Sequence, residues 1–349
     1  MKFILLLLTV GIHAWAVEFE SIPNYYGNEF KSAYSKNQLS DEGLKEALFK
    51  IISSGHVKNE NAPDEIVPSC ESYYSPITKF PYEMPTPPTA ADTEPAPIAK
   101  PVETPINPPS MNAATVLFPE VENPKFPPDG FEPSPRPGKC VQHRSLGYEP
   151  ARRKLFGWIY LKQRSNGEYF VRDVYCEKEF SDADFNGEKT FGPGLLPKSG
   201  NIINTEHTWP QSRFTGRFPR EMQKSDLHHL YPTDSEMNGR RGSLRFGFVV
   251  EEVEKTKCPQ NKVGHQAAGG IIFEVPDSQK GNTARAIFYF ATRYQMKISP
   301  PEEEALRIWN ESDPIDEEER MRNDQIEEVQ GNRNPFIDIP DLLKRISHF

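Results

Sequence analysis

Proline is the feature that most limits how this chain can fold: twenty of its thirty-four prolines fall between Pro63 and Pro137. Proline has no backbone N–H and is excluded from helix interiors and central strands. Residues 61–139 therefore read as an extended, largely disordered insert. PxxP spacings within it are expected by chance at this density, so a ligand for a proline-recognising domain stands only as the alternative. The insert separates an N-terminal segment, 17–60, from a long C-terminal one, 140–349. At 349 residues the chain can still bury a sizeable core.

Met1 and Lys2, the apolar run Phe3 to Ile12 and the small-residue site Ala14-Trp15-Ala16 read as a signal peptide over 1–16, with Val17 the first mature residue. No later run approaches the roughly 20 apolar residues of a membrane helix. The expectation is a monomer, secreted or periplasmic, with no membrane partner. Cys70, Cys140, Cys176 and Cys258 fit an exported chain, being even in number, widely spaced and without a CxxC. Sequential pairing, Cys70 with Cys140 and Cys176 with Cys258, is the first expectation; four buried free thiols are the alternative.

Hydrophobic spacing places helices and strands without regular β-α alternation, which points to α+β. Tyr25 to His56 reads as helix-rich, and Leu44, Leu48 and Ile51 or Ile52 recur at helical spacing, with Ser40 or Asp41 as cap. Further helices are expected at Ala151 to Trp158, from Thr233 to Arg241, through "NTARAIFYFATRYQM", in "SPPEEEALRIWNES" with Ser299 as its cap, and in "MRNDQIEEVQ". "EYFVRDVYC", the stretch before Glu206 and "GGIIFEVPD" read as strands. Glu302 to Glu304 reads as a solvated face with capping acids, and "NRNPFID" as a structural turn.

The formal charge of −9 argues against a protein that coats nucleic acid. Between His207 and Arg245, however, Arg213, Arg217, Arg220, Lys224, Arg240, Arg241 and Arg245 outnumber Glu221, Asp226, Asp234 and Glu236. A local basic patch on an acidic body suits an enzyme that grips phosphate and then releases it. Inside the patch, Glu206 precedes His207, and Asn238 follows. A carboxylate and an amide oxygen form a sparse, hard donor set that suits Mg²⁺, with Mn²⁺ or Ca²⁺ as substitutes in binding. Zinc is disfavoured, since there is no HExxH and no thiolate pair. Alone, a Glu-His pair is better explained by a surface acid beside a structural histidine. His228 reads as a structural hydrogen bonder; Trp209, Phe214 and Phe246 read as core before base-stacking surface. His56, His143, His265 and His348 receive no role.

"NTEHTWPQSRF" (204–214), "SDLHHLYPTDSEMNGRRGSLRFG" (225–247), "ARAIFYFATRY" (284–294) and "QGNRNPFIDIPDL" (330–342) resemble, in order, the successive blocks of the bacterial endonuclease I family of secreted and periplasmic nucleases. "LKEALFKIISSGH" resembles that family's opening helix. The resemblance implies a ββα-metal (His-Me finger) core embedded in a mixed helix and sheet domain over 140–349, with 17–60 packing on it. It implies metal binding by Glu206 and Asn238, His207 as general base, and Arg213, Arg217 or Arg220 as the arginine that steadies the transition state. Arg240, Arg241 and Arg245 are the expected substrate contacts. Two departures stand out: "DLHH" and "NGRR" replace D-L-H-N and N-G-D-R, and the loop after Glu206-His207 is shorter. The implied activity is Mg²⁺-dependent, sequence-nonspecific cleavage of DNA, with RNA as a further substrate. A secreted binding module without turnover and a phosphodiesterase for small substrates are the alternatives.

Overall fold

The computed structural model describes residues 21–53, 55–57, 65–67, 140–198 and 200–349. The expected signal peptide, most of the proline-rich stretch and the expected Cys70–Cys140 pairing lie outside the described residues.

Helical spacing near the N-terminus becomes α1 (Gly27–Ser35) and α2 (Asp41–Ser53). Leu44, Leu48, Ile51 and Ile52 all face the core, as their spacing predicts. The helix stops before His56, because Gly55–Val57 forms strand β1 between antiparallel β2 (Glu65–Val67) and β3 (Cys140–Gln142). β2 falls in the proline-rich window, but in the gap between Pro63 and Pro68, where every residue has a backbone donor to give. Val57 faces both Glu65 and Cys140 across the ladders, so the two flanks of the proline-rich stretch meet on one strand.

Helix α3 (Tyr148–Lys154) runs into a wide π turn over Leu155–Ile159. An antiparallel meander follows: β4 (Leu161–Gln163), β5 (Tyr169–Arg172) and β6 (Glu179–Ser181). The alternating pattern predicts a strand reaching Cys176, yet β5 ends at Arg172. Asp173 is the reason: its carboxylate accepts from the N–H groups of Tyr175, Cys176 and Lys178 at 3.0, 2.8 and 2.9 Å, which turns the chain.

β7 (Ile203–His207) pairs antiparallel with β8 (Leu230–Asp234), and α4 (Arg220–Ser225) lies in the connection between them. β8 passes directly into α5 (Ser235–Arg241), where the Asp234 carboxylate accepts from Glu236 and Met237 N–H at 3.0 and 3.1 Å. The helix thus begins two residues later than its sequence suggests, because Thr233 is held in the ladder. β9 (Arg245–Phe246), β10 (Glu251–Glu254), β11 (Lys262–His265) and β12 (Ile271–Glu274) form a four-stranded sheet in the order β10-β11-β12-β9.

The remainder is helical: α6 (Lys280–Arg293), α7 (Pro300–Ser312), α8 (Glu317–Gln330) and α9 (Pro335–Asp338). α6 is buried at every position except Asn282 and packs on both α2 and α7, so the N-terminal helices share the core of the C-terminal segment. These separate small sheets and packed helices make an α+β fold. The Cys176–Cys258 disulfide is present. Among the described residues no helix is long and apolar enough to cross a membrane.

Three sequence expectations change. Glu302 and Glu303 are not a solvated face but are 3% and 7% exposed. Glu302 accepts from Arg213, Arg245 and the Phe246 N–H, while Glu303 takes Arg307 and the Phe349 N–H. His143 is buried rather than incidental, with Nδ1 accepting from Arg293 Nε at 2.8 Å. Ser299 stands at the start of α7 without a side-chain capping bond. The turn in "NRNPFID" is as expected, with the Asn334 side chain capping α9 and Arg333 bound to Glu327 and Asp338.

Candidate functional site

Side chains alternate along a strand, so β7 divides its chemistry between two sides. Asn204 and Glu206 turn toward α5; His207, the last strand residue, turns toward α4. The Glu206 carboxylate is buried, and its Oε1 accepts from Tyr175 Oη at 2.9 Å and pairs with Arg241 Nη1 at 2.8 Å. Burial raises its pKa, while Arg241 and Tyr175 act in the opposite direction. Arg241 also donates to the backbone carbonyl of His207 at 2.9 Å and to that of Thr208. One guanidinium therefore holds both the carboxylate and the strand end that carries the imidazole. Asn238 donates its amide N–H to Asn204 Oδ1 at 2.6 Å, which spends the nitrogen and not the carbonyl oxygen.

His207 is boxed by rings. Tyr148 and His229 lie 5.4 Å away between centroids, and Phe214 lies 6.3 Å away. Its Nε2 sits 3.1 Å from the Lys224 carbonyl oxygen. A carbonyl only accepts, so Nε2 carries the proton and, in the neutral ring, Nδ1 carries the lone pair. Burial pushes its pKa down to about 4 against the support of the Lys224 carbonyl, and the charges of Lys224, Arg241 and Arg220 push the same way as burial. The imidazole is neutral at pH 7, which is the state a base requires.

The cations of the basic window fall into two groups. Arg213 and Arg245 share Glu302, at 3.5 and 3.2 Å; Arg240 is held by Glu236 at 3.1 Å and by Glu254; Arg241 is 1% exposed against Glu206. Arg217, Arg220 and Lys224 have neutral neighbours instead: Gln295 at 2.8 Å, Gln211 at 3.3 Å, and the Tyr148 ring at 4.2 Å. Among the described residues no carboxylate forms an ion pair with any of these three. The structure thus brings Glu206, His207 and Arg241 together at the end of β7, sets Asn238 against Asn204 two positions back from Glu206 on the same strand, places Arg220 and Lys224 on α4 beside His207, and ties Arg213, Arg240 and Arg245 into ion pairs.

Sequence reasoning passed over several participants. Tyr175 and Asn204 receive no role from the sequence, being only members of expected strands. Their roles come from contacts 31 and 34 residues away along the chain. His229 mirrors His207, with Nε2 on the Gln223 carbonyl at 2.8 Å, one residue before the carbonyl that holds His207. His228 meets the Asn332 carbonyl at 3.0 Å, a structural bond as expected, and Trp209 and Phe246 are core residues.

Fold and site together define an α+β protein in which a buried carboxylate and a neutral imidazole share a strand end beside cations that, among the described residues, no acid pairs with. The endonuclease I family matches residues 139–341, more than half of the sequence, and the chain belongs to that family. An extracellular ribonuclease of Bacillus subtilis (strain 168) is 36% identical over 168 residues, covering 42% of this chain and 55% of the relative. Endonuclease-1 of Buchnera aphidicola subsp. Acyrthosiphon pisum (strain APS) is 30% identical over 114 residues, covering 33% and 44%. An extracellular deoxyribonuclease of Aeromonas hydrophila is 29% identical over 120 residues, covering 33% and 49%. The chain spans about half the length of the curated relatives it matches.

Proposed function

We propose that the chain is a secreted or periplasmic, metal-dependent endonuclease that hydrolyses phosphodiester bonds of DNA, and of RNA as a second substrate, without sequence preference, leaving 5′-phosphate and 3′-hydroxyl ends. The observation that carries this reading is the His207 ring, buried neutral with Nε2 committed to the Lys224 carbonyl. Relatives named as ribonuclease and as deoxyribonuclease support both substrates, and their extracellular or periplasmic names support export. The β7–β8 hairpin running into α5, with Glu206 and His207 on the first strand and Asn238 on the helix, has the order of a ββα-metal core.

The donor set fits a hard divalent cation. Glu206 offers an anionic oxygen and Asn238 an amide oxygen, and among the described residues no three His, Cys, Asp or Glu side chains form a metal cluster. Mg²⁺ suits so few protein ligands because it retains water and takes phosphate oxygens, and Mn²⁺ or Ca²⁺ can replace it in binding. Bound there, the ion supplies positive charge to the phosphoryl and leaving oxygens.

The chain's own residues do the rest. His207 Nδ1 accepts a proton from the water that attacks phosphorus, the P–O3′ bond breaks as the new P–O bond forms, and the departing 3′ oxygen takes its proton from solvent; the nearby anionic phosphate raises the basicity that burial suppresses. Arg220, whose charge is felt at His207, steadies the added negative charge of the transition state. Arg217 and Lys224 continue the phosphate grip along α4 and its preceding loop. Arg240 and Arg245 contribute less, since Glu236, Glu254 and Glu302 already neutralise them, and Arg241 acts by holding Glu206 and the strand end. Contacts to phosphate position a substrate without reading its bases, which is why sequence preference is absent.

Purified protein incubated with plasmid DNA or with RNA, in Mg²⁺ or in EDTA, tests the proposal. EDTA-sensitive cleavage is expected; intact plasmid and RNA in Mg²⁺ contradict it. Hydrolysis of a small diester with plasmid spared favours the small-substrate phosphodiesterase.

A further inference from the structure

Resting on the nuclease reading, we propose that Tyr148 is a positioning residue for the His207 base, closing a bracket that holds the imidazole with Nδ1 toward the substrate. Three contacts form the bracket. The Tyr148 ring lies against the His207 ring, 5.4 Å between centroids and inclined by 34°. The Lys224 ammonium sits 4.2 Å from the centre of the same tyrosine ring. The Lys224 backbone then returns to the imidazole through its carbonyl, 3.1 Å from Nε2. Lysine 224 therefore touches both members of the ring pair, one with its side chain and one with its main chain.

Core packing does not account for Tyr148. The buried residues of α3 and the following turn are Ala151, Leu155, Phe156, Gly157 and Trp158, while Tyr148 is half-buried at the helix start, at the edge of the site. Its position is nevertheless tightly specified. The backbone N–H donates to Glu221 Oε1 on α4 at 2.6 Å, and the Arg152 guanidinium lies 5.6 Å from the ring. The chain enters α3 through Gly147 at φ +77°, a conformation that side-chain-bearing residues rarely adopt. On its other sides His207 meets Phe214 and His229, both packed on Phe290 of the core. Tyr148 is thus the wall that keeps the imidazole from swinging outward.

An imidazole free to turn presents Nδ1 for only part of the time, and misplacement of a reacting group by about 1 Å costs on the order of 10²-fold in rate. Tyr148→Ala is expected to lower kcat about tenfold to a hundredfold with KM within about twofold, the signature of lost positioning and not of lost substrate binding. Tyr148→Phe is expected to retain kcat within about threefold, because the ring makes the contacts. A second readout needs no turnover: long-range ¹⁵N–¹H spectra of histidine side chains, with His207 assigned by its absence from His207→Ala. The wild-type protein and Tyr148→Phe should show a single tautomer protonated at Nε2, and Tyr148→Ala a mixture of both. If Tyr148→Ala does not fold, Tyr148→Leu, which keeps the apolar bulk and removes the aromatic face, takes its place in both measurements. Wild-type kcat in the alanine or leucine variant, a loss confined to KM, or an unchanged single tautomer overturns the inference. If the wild-type protein itself cleaves nothing, the nuclease reading fails and the spectra alone decide the bracket.

Discussion

Glu206 and Arg241 are 2% and 1% exposed, and either charge would be costly to bury without the other. Their pairing at 2.8 Å, with Tyr175 donating to the same carboxylate oxygen, holds the carboxylate beneath the strand end, where the proposed cation would bind. Removing one partner leaves the other stranded. Arg241→Met should therefore lower unfolding free energy by about 3–5 kcal/mol in urea titrations, and Glu206→Gln added to it should restore part of that loss. Equal stability of wild type and Arg241→Met would show that the pair is not the clamp described. Arg241 also illustrates what sequence spacing misses. It stands in a run of cations, "NGRR", and is expected on phosphate; only the fold turns it inward, to carbonyls and a carboxylate 33 to 35 positions back along the chain.

At the scale of elements, legibility follows how local the determining interactions are. α2 and α6 declare themselves through apolar spacing, since one buried face is a property of the element itself. β10 reads "EEVE", wholly exposed, and carries no alternation that could announce a strand; it exists because β11 pairs with it. Glu302 and Glu303 have the composition of a solvated first turn, and only distant partners, Arg213, Arg245 and the C-terminal Phe349, reverse that reading. The Glu206-His207 pair and Asn238 were legible in sequence as candidates, whereas Tyr148, Tyr175 and Asn204 were not, since each acts through a contact made in the folded chain.

The connection from α4 to β8 adds a pH dependence. Burial holds His228 and His229 well below the ordinary histidine pKa, and His143, which packs beside Asp226 in the same turn, is depressed by the same cause. In the unfolded chain these rings titrate near 6.5. Between pH 6.5 and 5 the unfolded state takes up protons that the folded state refuses, so stability falls as pH falls, by up to about 1.4 kcal/mol per pH unit for each histidine. Asp226, its pKa raised by burial, works in the opposite direction, but from the lower carboxylate range. Urea midpoints at pH 7 and pH 5.5 check the sign; a higher midpoint at pH 5.5 contradicts it.

The whole molecule is acidic, with a formal charge of −9, yet the rim of the site on α4 and its preceding loop displays Arg217, Arg220 and Lys224, which among the described residues have no carboxylate partners. A polyanion is thus attracted locally and repelled elsewhere, a balance that favours turnover over retention. Cleavage should weaken markedly between about 50 and 200 mM salt as counterions compete for the phosphates, and kcat/KM should carry the effect. A salt-insensitive kcat/KM would mean that the grip is not on the backbone.

The most direct test of the account follows plasmid nicking by the wild-type protein and by His207→Ala, each in Mg²⁺ and in EDTA, with DNA binding read in parallel by anisotropy. The wild type is expected to nick in Mg²⁺ alone, and His207→Ala to lose roughly 10²- to 10⁴-fold in rate with binding retained. Near-normal nicking by His207→Ala, or wild-type nicking that survives EDTA, would contradict it.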